Sequence, residues 1–241
     1  MITIRAGQII GRDHMARQLN SQDSYTVLKT ERHAVGILCD GCGEGRRSEV
    51  GAALASEFLA ELALALLRDG HELDTLPDLL YGGALGFLRG LVNLVQPPQP
   101  ERFIHDHLLF TVLGIVVSGE TGLIFAAGDG TIVIDDHTIL RDENNTPSYL
   151  AYHLIDGCDT PMGFDVLSLP DEWTRAAIAS DGFETALLPD VWELTHVRGL
   201  QRKLNAWSNL ERRFRDDATI ITLERTRSHA DYDRPQAGEA E

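Results

Sequence analysis

The chain is 241 residues long, 43% hydrophobic, and carries a formal charge of −16 at pH 7. That apolar share supplies a sizeable core. The acidity argues against partners such as nucleic acid or an anionic membrane, while it leaves carboxylates free for hard cations such as Mg²⁺ or Mn²⁺. No apolar run of about 18 residues suggests a membrane span, and no basic-then-apolar leader opens the chain. Three cysteines make no disulfide framework, so a cytoplasmic protein is expected.

A first strand is predicted from about Thr3 to Ile10, followed by a polar, turn-forming stretch from Gly11 to Ser24. A second strand covers about Tyr25 to Lys29, with Asp23 just ahead of it. Val35 to Asp40 then reads as a buried strand that ends in an Asp-Gly turn. It runs into the glycine-rich loop Gly41-Cys42-Gly43-Glu44-Gly45, whose backbone can come close to something small. A helix is predicted over Ser48 to Leu67, with Val50, Leu54, Phe58, Leu62 and Leu66 as its apolar stripe and alanines that permit close packing on a sheet. A second runs from about Thr75 to Val95, weakened by four glycines and stopped at Gln96-Pro97-Pro98-Gln99-Pro100.

Then the period changes. Leu108–Val117, Gly122–Ala127, Thr131–Asp135 and Thr138–Arg141 read as a meander of hairpins, with Asp129 at one tip. Asp142 to Leu169 is irregular, a surface loop or a flap over a site. A strand over Thr174 to Ala179 leads into Ser180-Asp181-Gly182 and a short helix near Glu184 to Leu188. A surface helix is expected over Val197 to Ser208, and Asp216-Asp217 precedes a last strand, Ala218 to Leu223. Residues 1–224 are expected to form one domain and 225–241 a disordered tail.

Asp23, Asp40, Asp181 and Asp216 thus flank strands in the order before, after, after, before. In antiparallel neighbours the start of one strand lies beside the end of the next, so these carboxylates can converge at one sheet edge. Gathered there they repel unless a cation neutralises them. With no competing His/Cys cluster, a divalent-metal site bound by oxygen is the physical inference.

These pieces resemble the type 2C class of metal-dependent serine/threonine protein phosphatases, in its bacterial His…Gln-Asp branch. They are His14 to Gln22-Asp23, Asp40-Gly41-Cys42-Gly43 with Arg46 to Gly51, Ala127-Gly128-Asp129-Gly130, Ala179-Ser180-Asp181-Gly182 and Asp216-Asp217-Ala218-Thr219. The resemblance implies an α+β fold, a four-layer α/β/β/α sandwich of two antiparallel sheets. It implies two Mn²⁺ or Mg²⁺ ions, with a third possible, held by Asp23, Asp40, the Gly41 carbonyl, Asp129, Asp181 and Asp216. It also implies hydrolysis of phosphoserine or phosphothreonine in a protein substrate by water activated between the ions, so that Asp40 and Asp181 are catalytic through that water. The implied partner is a phosphorylated protein, opposite a Ser/Thr kinase.

Two departures stand out. Cys42 occupies the place where many relatives carry a leaving-group His, which makes it a site-edge thiol whose oxidation would affect activity. The usual phosphate-binding Arg is out of register: Arg17 lies six positions before Asp23, and either it or His14 takes that role. The competing expectation is therefore a catalytically weak, phosphatase-like module that binds phosphoproteins. Cys39 and Cys42 are two intervening residues apart, but Cys39 sits inside a buried strand, so packing rather than redox catalysis is expected of it.

Overall fold

The computed structural model describes residues 1–143, 147–155, 159 and 161–226. The expected tail from 227 onward and Cys158 lie outside the described residues. In chain order the elements are β1 (Ile2–Ile9), α1 (Arg12–Arg17), β2 (Asp23–Lys29), β3 (His33–Asp40), α2 (Ser48–Arg68), α3 (Leu76–Val95) and α4 (Pro100–His107). There follow β4 (Val112–Ser118), β5 (Thr121–Ala127), β6 (Gly130–Ile134), β7 (His137–Arg141), β8 (Asp165–Ser168), β9 (Arg175–Ala179), α5 (Leu188–Trp192), α6 (Gly199–Glu211) and β10 (Ala218–Arg225).

The strands form two antiparallel five-stranded sheets, ordered β1-β10-β9-β6-β7 and β2-β3-β4-β5-β8. Central strands are apolar on both faces because both faces are covered. Along β3, Val35, Ile37 and Cys39 join the core under α2 and α3, while Ala34 and Leu38 point into the core between the sheets. On the other sheet, Ile178, Ile221 and Leu223 face that central core, whereas Ala177, Ala179 and Ile220 meet Leu188, Leu200, Leu204 and Trp207 of α5 and α6. Helices, sheet, sheet and helices therefore stack as the expected four layers.

The apolar stripe expected on α2 is not the face that meets the sheet. Val50 and Leu54 are exposed, and Phe58, Leu62 and Leu66 are only half-buried. Phe58 stacks on Phe87 of α3, with ring centroids 4.3 Å apart. The sheet takes Ala52, Ala55, Ser56, Leu59, Ala60 and Ala63, and Ser56 bonds the hydroxyls of Ser24 and Thr26 on β2. Small side chains let the helix sit close, and a helix packed on two sides has no single stripe. α2 is long and apolar enough to cross a bilayer, with a mean hydropathy of 1.8, but half of that window is buried in the fold.

Three other expectations change. The stretch after Gly11 contains α1, held by the Arg12 and Asp13 amides donating to Phe214 O and Arg215 O at 3.2 and 3.1 Å. Pro100 begins α4 rather than ending a connection, a place where proline costs nothing because that N–H has no helical partner. The meander is broken: β4–β5 and β6–β7 are hairpins of different sheets. Asp129 sits at the crossover between them, flanked by Gly128 at φ +86° and Gly130 at φ +140°, backbone that favours glycine. The surface helix α6 buries Leu200, Leu204 and Trp207.

Candidate metal centre

The centre is built at one edge of the sandwich, where the register sets two carboxylates side by side. Asp23 opens β2, Asp40 closes β3, and the two are direct cross-strand partners. Asp181 follows β9 and Asp216 precedes β10 on the facing sheet, while Asp129 stands at the crossover. All five line one cavity of about 640 Å³, together with His14, Gly41 and Cys42. Arg17 does not: it is exposed in the last turn of α1.

Asp23 is 4% exposed. Its Oδ2 accepts a hydrogen bond from Ser180 Oγ at 2.7 Å, and that hydroxyl oxygen accepts one from the Thr219 amide at 2.9 Å. Its Oδ1 is buried without a partner. Asp40 is held through its backbone, donating to Thr111 Oγ1 at 3.3 Å and accepting from the Thr111 amide at 2.7 Å. Asp129 Oδ1 accepts from the Glu143 amide at 2.6 Å.

Gathered in the fold, the carboxyls resist ionisation. Burial pushes Asp23 up to about 7 against the Ser180 hydrogen bond, which favours its charged form. Burial, then the charges of Asp23, Asp181 and Asp216, drive Asp40 well above the carboxylate range. Desolvation followed by Asp216 raises Asp181, and desolvation raises Asp129.

The glycine-rich loop is fixed by Gln22, whose side-chain amide donates to Cys42 O at 3.1 Å, Gly45 O at 3.3 Å and Ser48 Oγ at 2.7 Å. A Cβ on Gly41 would lie 2.8 Å from Ser48 Oγ and 2.9 Å from Gln22 O, so glycine is needed where the backbone turns into the cavity. Cys42 is half-buried and Cys39 fully buried, both as free thiols, and burial beside Asp40 and Asp23 pushes the Cys39 thiol far up. Burial first, and then the nearness of Cys42, pushes the Tyr149 hydroxyl far up, so it stays protonated.

One feature escapes the sequence. Asp217, beside Asp216, is 4% exposed and faces inward. Its carboxylate accepts from the Gly11 amide at 2.7 Å, the Gln22 amide at 2.6 Å and His14 Nδ1 at 2.8 Å. The only signal was that adjacent residues at a strand start point opposite ways. The irregular segment also supplies Pro147, Tyr149 and Tyr152 to the cavity wall, as expected of a flap.

The profile of the family described as Protein phosphatase 2C matches residues 10–216. No curated protein sequence matches the chain significantly. Among solved structures, the serine/threonine phosphatase Stp1 from Staphylococcus aureus is similar, with a TM-score of 0.68 at 13% identity over 94% of this chain and 96% of that one. The S. agalactiae serine/threonine phosphatase gives 0.65 at 18%, over 94% and 100%. The catalytic domain of PstP, solved with two manganese ions, gives 0.57 at 15%, over 92% and 97%. At these identities the likenesses establish the fold, and the profile establishes the family. The chain belongs to the protein phosphatase 2C family and is an enzyme of the metal-dependent protein phosphatase class.

Proposed function

We propose that this protein removes phosphate from phosphoserine and phosphothreonine in proteins with the help of two Mn²⁺ or Mg²⁺ ions. The observation that carries the reading is Asp40, facing Asp23 across the β2–β3 pair and raised by burial and then by the charges of Asp23, Asp181 and Asp216. Such crowding is relieved by a cation. The residues fit one: the donors are oxygens, which hard cations prefer, and the buried Asp23 Oδ1 lacks a partner.

Asp40 would be shared between two ions, Asp181 and Asp216 would hold one, and the Gly41 carbonyl the other, with Asp23 acting directly or through water. Asp129, on its glycine-flanked crossover, is the candidate for a third, weaker site. Bound cations would lower the pKa of water and offset charge on the phosphoryl oxygens. The chain's own residues do the positioning. Ser180 holds Asp23, Thr111 holds the Asp40 backbone, and Gln22 holds the loop that carries Gly41. Pro147, Tyr149 and Tyr152 wall the cavity on one side. Support for the choice of ion comes from PstP, solved with manganese, and RsbX, solved with magnesium. The same reading makes a phosphorylated protein the partner, supplied by a Ser/Thr kinase, and the free thiols and the charge of −16 fit a cytoplasmic setting without nucleic acid or membrane.

The test is phosphate release from p-nitrophenyl phosphate and a phosphothreonine peptide with Mn²⁺, with Mg²⁺ and with EDTA. Release from both that EDTA abolishes is expected. Mn²⁺ binding by calorimetry with no release from either substrate would overturn the reading in favour of a phosphoprotein-binding module, which the outlying Arg17 and the Cys42 replacement favour.

A further inference from the structure

His14 is 7% exposed, yet it lines the cavity. Its spacing from Asp23 suggests a phosphate contact, but its surroundings suggest something else. Nδ1 lies 2.8 Å from Asp217 Oδ2, an oxygen that also accepts the Gln22 amide at 2.6 Å. Asp217 Oδ1 is engaged by the Gly11 amide. A carboxylate already receiving two backbone N–H groups acts as an acceptor, so Nδ1 donates to it and Nε2 is the ring nitrogen left to meet a cation. Nε2 makes no hydrogen bond among the described residues and is not fully buried. Among those residues, His14, Asp216 and Asp217 also bring ligand-type atoms within 4.8 Å of one another.

A carboxylate holding one ring nitrogen of a histidine that lines a carboxylate-rich cavity is the arrangement by which proteins orient a histidine toward a metal ion. We infer that His14 is a nitrogen ligand of the metal centre, on the ion held by Asp216, with Asp217 as its positioning residue. The inference rests on the reading that this cavity holds divalent cations. It adds a consequence that an all-oxygen set lacks. Mg²⁺ prefers oxygen donors, whereas imidazole suits ions such as Zn²⁺, Fe²⁺ and Ni²⁺, so His14 biases the centre away from Mg²⁺; Mn²⁺, the weakest binder of the first-row series, is the paramagnetic probe. Asp217 serves here as the positioning residue, its oxygens receiving the Gly11 and Gln22 amides and His14 Nδ1.

The experiment is pulsed electron paramagnetic resonance on the full chain loaded with Mn²⁺, in natural abundance and with only its histidines labelled with ¹⁵N. The expected result is a nitrogen coupling to Mn²⁺ that changes to the ¹⁵N pattern on labelling and disappears in His14→Gln. His105 also lines the cavity, so a coupling that persists in His14→Gln would overturn the assignment. Calorimetry supplies the second readout. His14→Gln should weaken Mn²⁺ binding about tenfold or more, while Mg²⁺ binding changes by less than about threefold. Should His14→Gln fail to fold, His105→Gln takes its place: a ¹⁵N coupling that survives that substitution supports the assignment to His14, and one that disappears with it overturns the assignment. Mn²⁺ that binds with no nitrogen coupling overturns the inference and leaves the cation site standing. Absence of any Mn²⁺ binding overturns both.

Discussion

At the scale of single residues, the site follows from where strands begin and end. Asp40 shows this most sharply, because burial and three neighbouring carboxylates oppose its charge. Asp40→Asn should therefore lower metal-dependent phosphatase activity by about two orders of magnitude or more. In EDTA the same variant should melt no lower than the wild type, since it removes repulsion and keeps the shape. A melting temperature well below wild type in EDTA would mean that Asp40 is a structural group. Asp23, Asp40, Asp181 and Asp216 were legible because antiparallel pairing forces such positions to one edge. Asp217 was not, since only the fold decides which of two adjacent carboxylates turns inward to Gly11, Gln22 and His14. Arg17 was misleading for a related reason: spacing along the chain does not tell which side of a short helix faces the cavity.

At the scale of elements, strand existence was read well and packing faces were not. The clearest case is α2, whose four-residue repeat marks the side shared with solvent and α3, while the alanine-rich side meets β2 and β3. Leu59 is fully buried and Leu54 is 42% exposed. Leu59→Ala should thus cost about 2–5 kcal/mol, and Leu54→Ala less than about 0.5 kcal/mol, by urea unfolding. Equal costs, or the reverse order, would restore the repeat as the buried face. α1 was missed because six residues, four of them polar, carry no periodic signal, and its amides are held by the distant Phe214 and Arg215. α4 left a signal, a proline at its first position followed by Glu101 and closed by His105 and His107. The break between β5 and β6 was hidden because Asp-Gly serves a hairpin and a crossover equally well.

At the scale of the whole molecule, the sandwich holds a cluster of like charges at one edge, so its stability depends on what neutralises them. Asp23 titrates near 7 in the fold against 3.8 for the free side chain. The folded state therefore binds this proton more tightly than the unfolded chain does. That stabilisation is complete below about pH 4 and is lost as pH rises through about 7. Thermal melts in EDTA should show stability falling across this window, by an amount on the order of a few kcal/mol, with a shallower fall in Asp23→Asn. Saturating Mn²⁺ should reverse the trend at the upper end, because a cation then does what the proton did. A flat profile in EDTA would show that the carboxylates are not coupled to folding.

The central claim is that this edge gathers its carboxylates for two cations, and anomalous diffraction from Mn²⁺-soaked crystals tests it most directly. The account predicts two manganese peaks in the cavity, both reached by Asp40, one shared with Asp181 and Asp216 and the other with the Gly41 carbonyl. A map with no manganese in the cavity, or with peaks only at carboxylates elsewhere on the surface, would contradict it.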